Sequence, residues 1–411
     1  MHRLAAITSA LLMTVVIDGV FIAQVVAELP EVLIAQAKNS DKEELGLDDI
    51  ERLTEEAEKA EEAGLYKKST NIWLNIVRIQ KNGLGTKHPS TAMSLNRLAW
   101  LYSKQGQNRK AEPIYIRALE ISELSLGSEQ IGTSLILNNL AFLYNKQGLY
   151  SKAEPLLKRA LKINKQNLGP NHLSTAMSLN QLAWLYYNQK LYSKAEPLFL
   201  RALSIYEKSL GPDQLGTALI LNNLGWLYNS QGLYTKAEPL IKRAIAIRER
   251  SLGSEHPSTA SSLENLALLY SNKGSYSRAR PLFLRVLEIR KKTLGNEHQG
   301  TEYVLNNLAL LYNKQEIYAK SSPLARRSLE IKFRLIQREA PYLTLSDRKL
   351  YSQSFDSTYD WIFSDASLRF SSDSMTILDR LSLFLKKQFT SVIKALFNLP
   401  FTTAEATYLE L

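Results

Sequence analysis

A row of asparagines and large aromatic residues recurs every 42 residues through the middle of this 411-residue sequence. An asparagine amide carries both donors and an acceptor, so a row of amides can hold an extended peptide backbone whatever its side chains. Tryptophan and phenylalanine in the same row would add the contact area on which binding energy often depends. The spacing therefore predicts a surface that binds a peptide or protein segment. The residues of this candidate stripe are Asn96, Trp100, Asn138, Phe142, Asn180, Trp184, Asn222, Trp226 and Asn306.

The residue types that most catalytic and metal sites need are scarce. The chain has no cysteine, which excludes disulfides, thiolate metal sites and cysteine nucleophiles, and it has only five histidines. Four of the histidines occupy the same turn position of different repeats, 42 or 84 residues apart, so they do not converge on one ion. We expect no cofactor, no metal site and no enzymatic activity. We assign a turn-and-cap role to His88, His172, His256 and His298.

The stripe lies within a repeat of 42 residues that runs through six units without insertion. Four markers keep the register: a Leu-Gly pair, a threonine, a tyrosine and a proline. In the first unit they are Leu84-Gly85, Thr91, Tyr102 and Pro113, and each recurs 42 residues later in every following unit. Repeats of this length are typical of solenoid proteins, in which each unit packs only on its neighbours.

The pattern within a unit predicts two helices. In the first unit, apolar residues three and four apart predict one helix from Ser90 to Lys104, whose start is capped by a serine or threonine hydroxyl. The second helix runs from Asn108 to Leu124 and ends at the Leu-Gly pair, because glycine accepts the backbone conformation that closes a helix. The repeated proline is expected near the first turn of the second helix, where its missing N–H costs least.

The helix pair resembles the tetratricopeptide repeat (TPR). In the first unit the matching packing residues are Leu98, Ala99, Tyr102, Ala111, Tyr115 and Ala118. The 42-residue length and the Ala-Glu-Pro-Leu and Leu-Gly motifs resemble the kinesin-light-chain type that is common in bacterial proteins. The resemblance implies an all-α fold, a right-handed α-solenoid of stacked helix-turn-helix hairpins with a C-terminal helical extension. It also implies that the stripe lines a concave groove; the alternative is that its aromatics pack on the preceding unit.

The pattern divides the chain into four segments. We expect a signal-peptide-like leader over 1–37, a degenerate capping repeat over 48–83, six full units over 84–335 and a helical extension over 336–411. The part from Tyr342 to Trp361 is similar to the helical region that often precedes a caspase-like CHAT peptidase domain in such proteins. The residues after it contain no histidine and no cysteine, so we expect the array without the enzyme.

The first residues have the features of an export signal. Arg3 supplies a positive charge, residues 4–17 are mostly apolar, and small residues follow at the spacing of a cleavage site. Asp18 interrupts the apolar run before it is long enough to cross a membrane. We expect an exported protein, either periplasmic or extracellular. The alternatives are a cytoplasmic chain or an uncleaved anchor, and a membrane is expected as a partner only through such an anchor.

The chain is basic overall, with a formal net charge of +11, but the charge is unevenly distributed. Eleven acidic residues fall within 41–62, which we interpret as the solvated face of a terminal cap, so the array carries the basic excess. Because Lys104, Lys146 and Lys314 flank the stripe, we expect a protein or peptide partner of acidic character. One alternative is a basic solenoid that binds an anionic surface or, less favoured, nucleic acid through its second helices. Another is a regulatory subunit of a separately encoded peptidase.

Overall fold

The structure, a computed structural model, describes residues 44–62 and 65–339. These residues form fourteen α-helices and no strand, which confirms the predicted all-α fold. In chain order the helices are α1 Glu44–Glu62, α2 Tyr66–Gly83, α3 Pro89–Lys104, α4 Asn108–Ser125, α5 Ile131–Lys146, α6 Tyr150–Asn167, α7 Leu173–Asn188, α8 Tyr192–Ser209, α9 Leu215–Ser230, α10 Tyr234–Leu252, α11 Pro257–Asn272, α12 Tyr276–Leu294, α13 Gln299–Lys314 and α14 Tyr318–Glu339.

Consecutive helices pair as hairpins. The two helices of a repeat pack most extensively on each other from α1 to α10, as α3 does on α4, and α13 packs on α14 in the same way. From α2 to α10 each second helix also packs on the first helix of the next repeat. First helices of neighbouring repeats touch as well, for example α5 and α7. This arrangement is that of the predicted α-solenoid. The chain divides into two compact units between Thr293 and Leu294, and the hairpin of α13 and α14 belongs to the second.

Small residues let the two helices of a repeat approach closely. In the first repeat Ala99 of α3 and Ala111 of α4 have no solvent exposure, and Tyr115 is only 1 % exposed. In α9 the position of Ala99 is taken by Gly225, where an added Cβ would lie 2.5 Å from Cγ1 of Ile241 in α10. Side chains of the second helix therefore press directly on the backbone of the first helix in this repeat.

The helices end as predicted, but their starts differ from the prediction. Each glycine of the Leu-Gly pairs has a positive φ, and Gly253 adopts φ 90° and ψ 162°, a region essentially open to glycine alone. The predicted serine or threonine cap is wrong where a histidine precedes the helix. There the imidazole is the cap, and Nδ1 of His88 accepts a hydrogen bond from the backbone N–H of Ser90 at 3.2 Å. The repeated proline also lies deeper than predicted, since Pro113 is the sixth residue of α4.

Parts of the sequence-based division lie outside the described residues. The leader over 1–37 falls there, as does the extension over 336–411 apart from the end of α14, which continues to Glu339. Helices α1 and α2 form a hairpin where the capping repeat is expected. In the part of the chain that is described, no helix is both long enough and apolar enough to span a bilayer.

Candidate peptide-binding site

Two asparagines of the stripe join neighbouring repeats. The Oδ1 atom of Asn96 in α3 accepts a hydrogen bond from Nδ2 of Asn139 in α5 at 3.0 Å. Asn180 in α7 accepts in the same way from Asn223 in α9 at 2.9 Å. All four side chains are buried. Their amides hold adjacent first helices in register, a structural role that the spacing of the stripe does not reveal.

Asn138 in α5 is completely buried and has a similar role. Its amide donates to Oγ of Ser178 in α7 at 3.1 Å, and the same serine accepts a hydrogen bond from Asn164 in α6 at 3.0 Å. A peptide that lies along the first helices has no access to an amide without solvent exposure. The structure therefore does not support direct backbone contacts by Asn96, Asn138 and Asn180, whose amides instead serve contacts between helices.

Asn222 and Asn306 differ from the other three asparagines. Asn222 in α9 is 6 % exposed, and Asn306 in α13 is half-buried. In both residues the Oδ1 atom is buried and has no hydrogen-bond partner within the described parts of the chain. Buried acceptors without a partner are uncommon in folded proteins, so these two amides differ from those that join neighbouring repeats. Contact with a ligand stays a prediction for both residues.

The aromatic residues of the stripe differ in exposure. Phe142 in α5 is 41 % exposed, Trp184 in α7 and Trp226 in α9 are half-buried, and Trp100 in α3 is only 7 % exposed. The guanidinium of Arg97 lies 4.8 Å from the centre of the Trp100 ring. The part of the aromatic row that a ligand can touch therefore lies on three consecutive first helices, α5, α7 and α9.

Trp184 is held in place by two other rings. Its ring centre is 5.0 Å from that of Tyr187 and 6.0 Å from that of Phe199, with interplanar angles of 82° and 88°. Aromatic pairs prefer such edge-to-face geometry. The Tyr187 hydroxyl and Oγ of Ser230 share a hydrogen bond of 2.9 Å that joins α7 to α9. Burial raises the pKa of Tyr187, although hydrogen bonds with Ser230 and Trp226 oppose the rise, so the hydroxyl stays protonated at neutral pH.

The repeat length, the hairpin packing and the buried small residues correspond to one known family. The tetratricopeptide repeat family model matches residues 56–123, 132–208, 185–250, 227–292 and 258–332, which together make up more than half of the chain. The chain belongs to the tetratricopeptide repeat family. No curated protein matches it.

Solved TPR structures resemble the chain to different extents. BtubC (BKLC) from P. vanneervenii is 25 % identical over 60 % of this chain and 92 % of its own length, with a TM-score of 0.44. A protein of the kinesin-light-chain type from Podosopora anserina, with nearly identical TPR-like repeats, is 28 % identical over 50 % and 98 %, with a TM-score of 0.42. A Rap protein complexed with competence and sporulation factor shares the fold, at 16 % identity over 76 % and 83 % and a TM-score of 0.57.

A buried ion pair, which the sequence did not predict, fastens the first TPR hairpin to the next. The Oε1 atom of Glu61 accepts hydrogen bonds from Ser69 at 2.8 Å, Trp73 at 3.1 Å and Nε of Arg97 at 3.2 Å, and its Oε2 atom pairs with the same guanidinium. Glu61 belongs to the acidic segment interpreted as a solvated cap, yet its side chain is only 6 % exposed. The sequence offers one clue to this ion pair, because the other five full repeats have Asn or Gln where the first has Arg97.

Basic residues on the second helices make bonds within the TPR array. Arg159 donates to the carbonyl oxygen of Ser128 at 2.7 Å, and Arg243 donates to that of Pro212 at 2.7 Å, so each arginine fastens a turn of the preceding repeat. Arg159 also pairs with Glu123 at 2.6 Å. Lysines of the same helices lie over tyrosine rings at 5.1 to 5.5 Å; they are Lys152, Lys194 and Lys236. These bonds weaken the case for a row of basic residues that serves nucleic acid.

The four turn histidines are helix caps, as predicted. In each, Nδ1 accepts a hydrogen bond from the backbone N–H two residues later, at 2.9 to 3.2 Å. Burial, and after it the charge of Arg248, lowers the pKa of His256, which keeps Nδ1 unprotonated for this bond. Within 44–62 and 65–339, no group of three or more histidine, aspartate or glutamate side chains has the arrangement of a metal site.

Proposed function

We propose that this TPR protein is a non-enzymatic scaffold that binds a peptide or protein segment along the first helices of its repeats. The observation that carries the proposal is the exposure of Phe142, Trp184 and Trp226 on three consecutive first helices. Partly exposed rings on largely buried helices are the side chains that contribute most to binding interfaces. Trp184 in particular is fixed by its contacts with Tyr187 and Phe199, so little conformational entropy is lost when a partner binds.

The TPR fold supports this proposal. In the TPR family, the corresponding stripe of first-helix residues lines the groove that holds extended peptides. The Rap protein that shares the fold was solved complexed with competence and sporulation factor. By analogy, we propose that the partner of this chain lies across successive first helices and contacts one ring in each repeat. The prediction that this partner is acidic rests on Lys104, Lys146 and Lys314, which flank the stripe.

Other functions have less support in the structure. A basic solenoid for nucleic acid would need its second-helix arginines for phosphates, yet Arg159 and Arg243 already bind carbonyl oxygens and carboxylates of neighbouring repeats. A role beside a separately encoded peptidase is one form of partner binding, and co-purification with such a peptidase tests it. The absence of enzymatic activity is part of the proposal.

Affinity capture with the purified protein tests the proposed function. The triple variant Phe142→Ala, Trp184→Ala and Trp226→Ala removes the accessible rings and is expected to lose the captured partner. Leu200→Ala is the matched control, because Leu200 is an apolar residue of 44 % exposure on the second helix α8. If the triple variant keeps its helical circular dichroism and captures the partner as well as the control does, the proposal fails.

We also propose that the protein is exported, on the basis of the charge, the apolar run and the small residues within 1–37. N-terminal sequencing of the protein isolated from its native host tests this proposal. A mature chain that begins shortly after Ala27 or Ala37 is the expected result. A chain that retains Met1 would contradict cleavage.

A further inference from the structure

Two neighbouring first helices in the middle of the array carry no charge. Helices α7 and α9 span 16 residues each and contain no Asp, Glu, Lys, Arg or His, although 22 % of all residues in the chain are charged. The adjacent first helices differ, since α5 ends with Lys146 and α11 contains Glu264. A charged ligand group placed over α7 and α9 would lose hydration without gaining a partner from these helices.

Each of these two helices also carries one tryptophan of the stripe, at equivalent positions of neighbouring repeats. Trp184 in α7 and Trp226 in α9 are half-buried, so part of each ring stays accessible to a ligand. An apolar ligand group can therefore pack on rings that no charged residue of the same two helices accompanies.

The helix pair is held together at two levels, by the Asn180–Asn223 hydrogen bond and the Tyr187–Ser230 hydrogen bond. Packed helices lie about 8–10 Å apart, and an extended chain advances about 3.3 Å per residue. A peptide that crosses both helices would therefore cover the distance between them with about three residues.

We propose that α7 and α9 form a subsite for an uncharged peptide segment. In this subsite a bulky apolar side chain of the ligand packs against the accessible parts of the Trp184 and Trp226 rings, and no charged group of the ligand lies over the two helices. The inference rests on the proposed function and narrows it, because an acidic ligand would have its charges only outside this part of the stripe. Specificity at the subsite then has two sources. One is the free-energy penalty for burying a charged group of the ligand, and the other is the space available beside the rings of Trp184 and Trp226.

Binding of synthetic peptides to the full chain tests the subsite. The probes are capped decapeptides of Gly, Ser and Gln with a central Phe, and matched sets in which two flanking residues are Glu or Lys. Binding is followed by isothermal titration calorimetry. The uncharged peptides are expected to bind at least about 10-fold more tightly than either charged set. Trp184→Ala is expected to weaken their binding about 30-fold.

One substitution tests the charge preference without removing the rings. Asn188→Lys places a lysine where α5 has Lys146, and it should shift the preference towards the Glu-containing set. Lys208→Ala, on the exposed end of α8, is the control that should change neither this preference nor the affinity. Circular dichroism and thermal melting confirm that each variant is folded.

The possible outcomes separate this inference from the proposed function. If Glu-containing peptides bind best and their binding depends on Trp184, the uncharged subsite is refuted while the scaffold function survives. If no peptide set binds in a Trp184-dependent way, the uncharged subsite is refuted, whereas the scaffold function is decided by the capture experiment with the triple variant. Tighter binding of a neutral hexasaccharide such as chitohexaose, again dependent on Trp184, would also overturn the inference, because it would make the rings a carbohydrate platform.

Discussion

Gly225 in α9 occupies a position that is alanine in every other full repeat, and its substitution by alanine tests how tightly the fourth repeat is packed. An ideal Cβ at this position would lie 2.5 Å from Cγ1 and 3.2 Å from Cδ1 of Ile241, and 3.4 Å from the carbonyl oxygen of Ala237. Helix propensity alone would make Gly225→Ala stabilising by about 1 kcal/mol. Overpacking of a well-packed core typically costs about 1–3 kcal/mol. The expected net effect is therefore a loss of about 1 kcal/mol.

The second repeat supplies the matched comparison for Gly225. There the corresponding pair is Ala141 and Leu157, both buried, so a leucine without β-branching accommodates the alanine methyl group. The double variant Gly225→Ala with Ile241→Leu is expected to regain about 1 kcal/mol relative to the single variant. Guanidinium denaturation of the full chain, followed by circular dichroism, measures each free energy of unfolding. A single Gly225→Ala variant that is stabilised by the full propensity value would refute the close contact with Ile241.

Three further predictions concern the turns, the cap and pH. Lys190 adopts φ 61° in a turn, so Lys190→Gly should raise the free energy of unfolding by up to about 1 kcal/mol in the same denaturation assay; an equally large loss would contradict the strain. Glu61→Ala leaves the buried Arg97 without its carboxylate and should cost about 3–5 kcal/mol, measured as faster hydrogen exchange in α1 and α2 but not in α10. His256 has a lowered pKa, so its protonation favours the unfolded chain, and stability should be complete above about pH 6.5 and decline as pH falls through that value towards the folded pKa. In thermal melts His256→Gln should lose about 1 kcal/mol at pH 7.5 and less at pH 5; an unchanged difference between the two pH values would argue against the imidazole cap.

The fold could be predicted from the sequence because each marker of the repeat has a local cause. Gly253 ends a helix since its positive φ is open to glycine, and Ala99 and Ala111 permit close packing because they have no longer side chain. Such causes act within one repeat. Because the sequence repeats every 42 residues, the same causes apply in each repeat of the array. The histidine caps follow from the same kind of local geometry.

The roles of the stripe asparagines could not be predicted in the same way. Spacing shows which side chains share a helix face, but it does not show whether a neighbouring helix already uses their hydrogen bonds. Asn139 bonds to Asn96, 43 residues away, and Asn138 bonds to Ser178, 40 residues away. These separations in sequence depend on the rotation between successive helices. That rotation cannot be worked out from the 42-residue period alone. The burial of Glu61 against Arg97 likewise depends on how one hairpin packs on the next.

The bonds between first helices also constrain how the array can recognise a partner. Because Asn180 is tied to Asn223 and Tyr187 to Ser230, α7 and α9 cannot move apart without breaking a polar contact. We therefore expect a ligand of the proposed subsite to fit the existing arrangement of the two helices instead of drawing them together. In such a rigid site a flanking charge on the ligand cannot be relieved by rearrangement of α7 and α9, which have no countercharge to offer. We therefore expect Asn180, first assigned to peptide binding, to act on selectivity at the proposed subsite only indirectly, by holding α7 and α9 together.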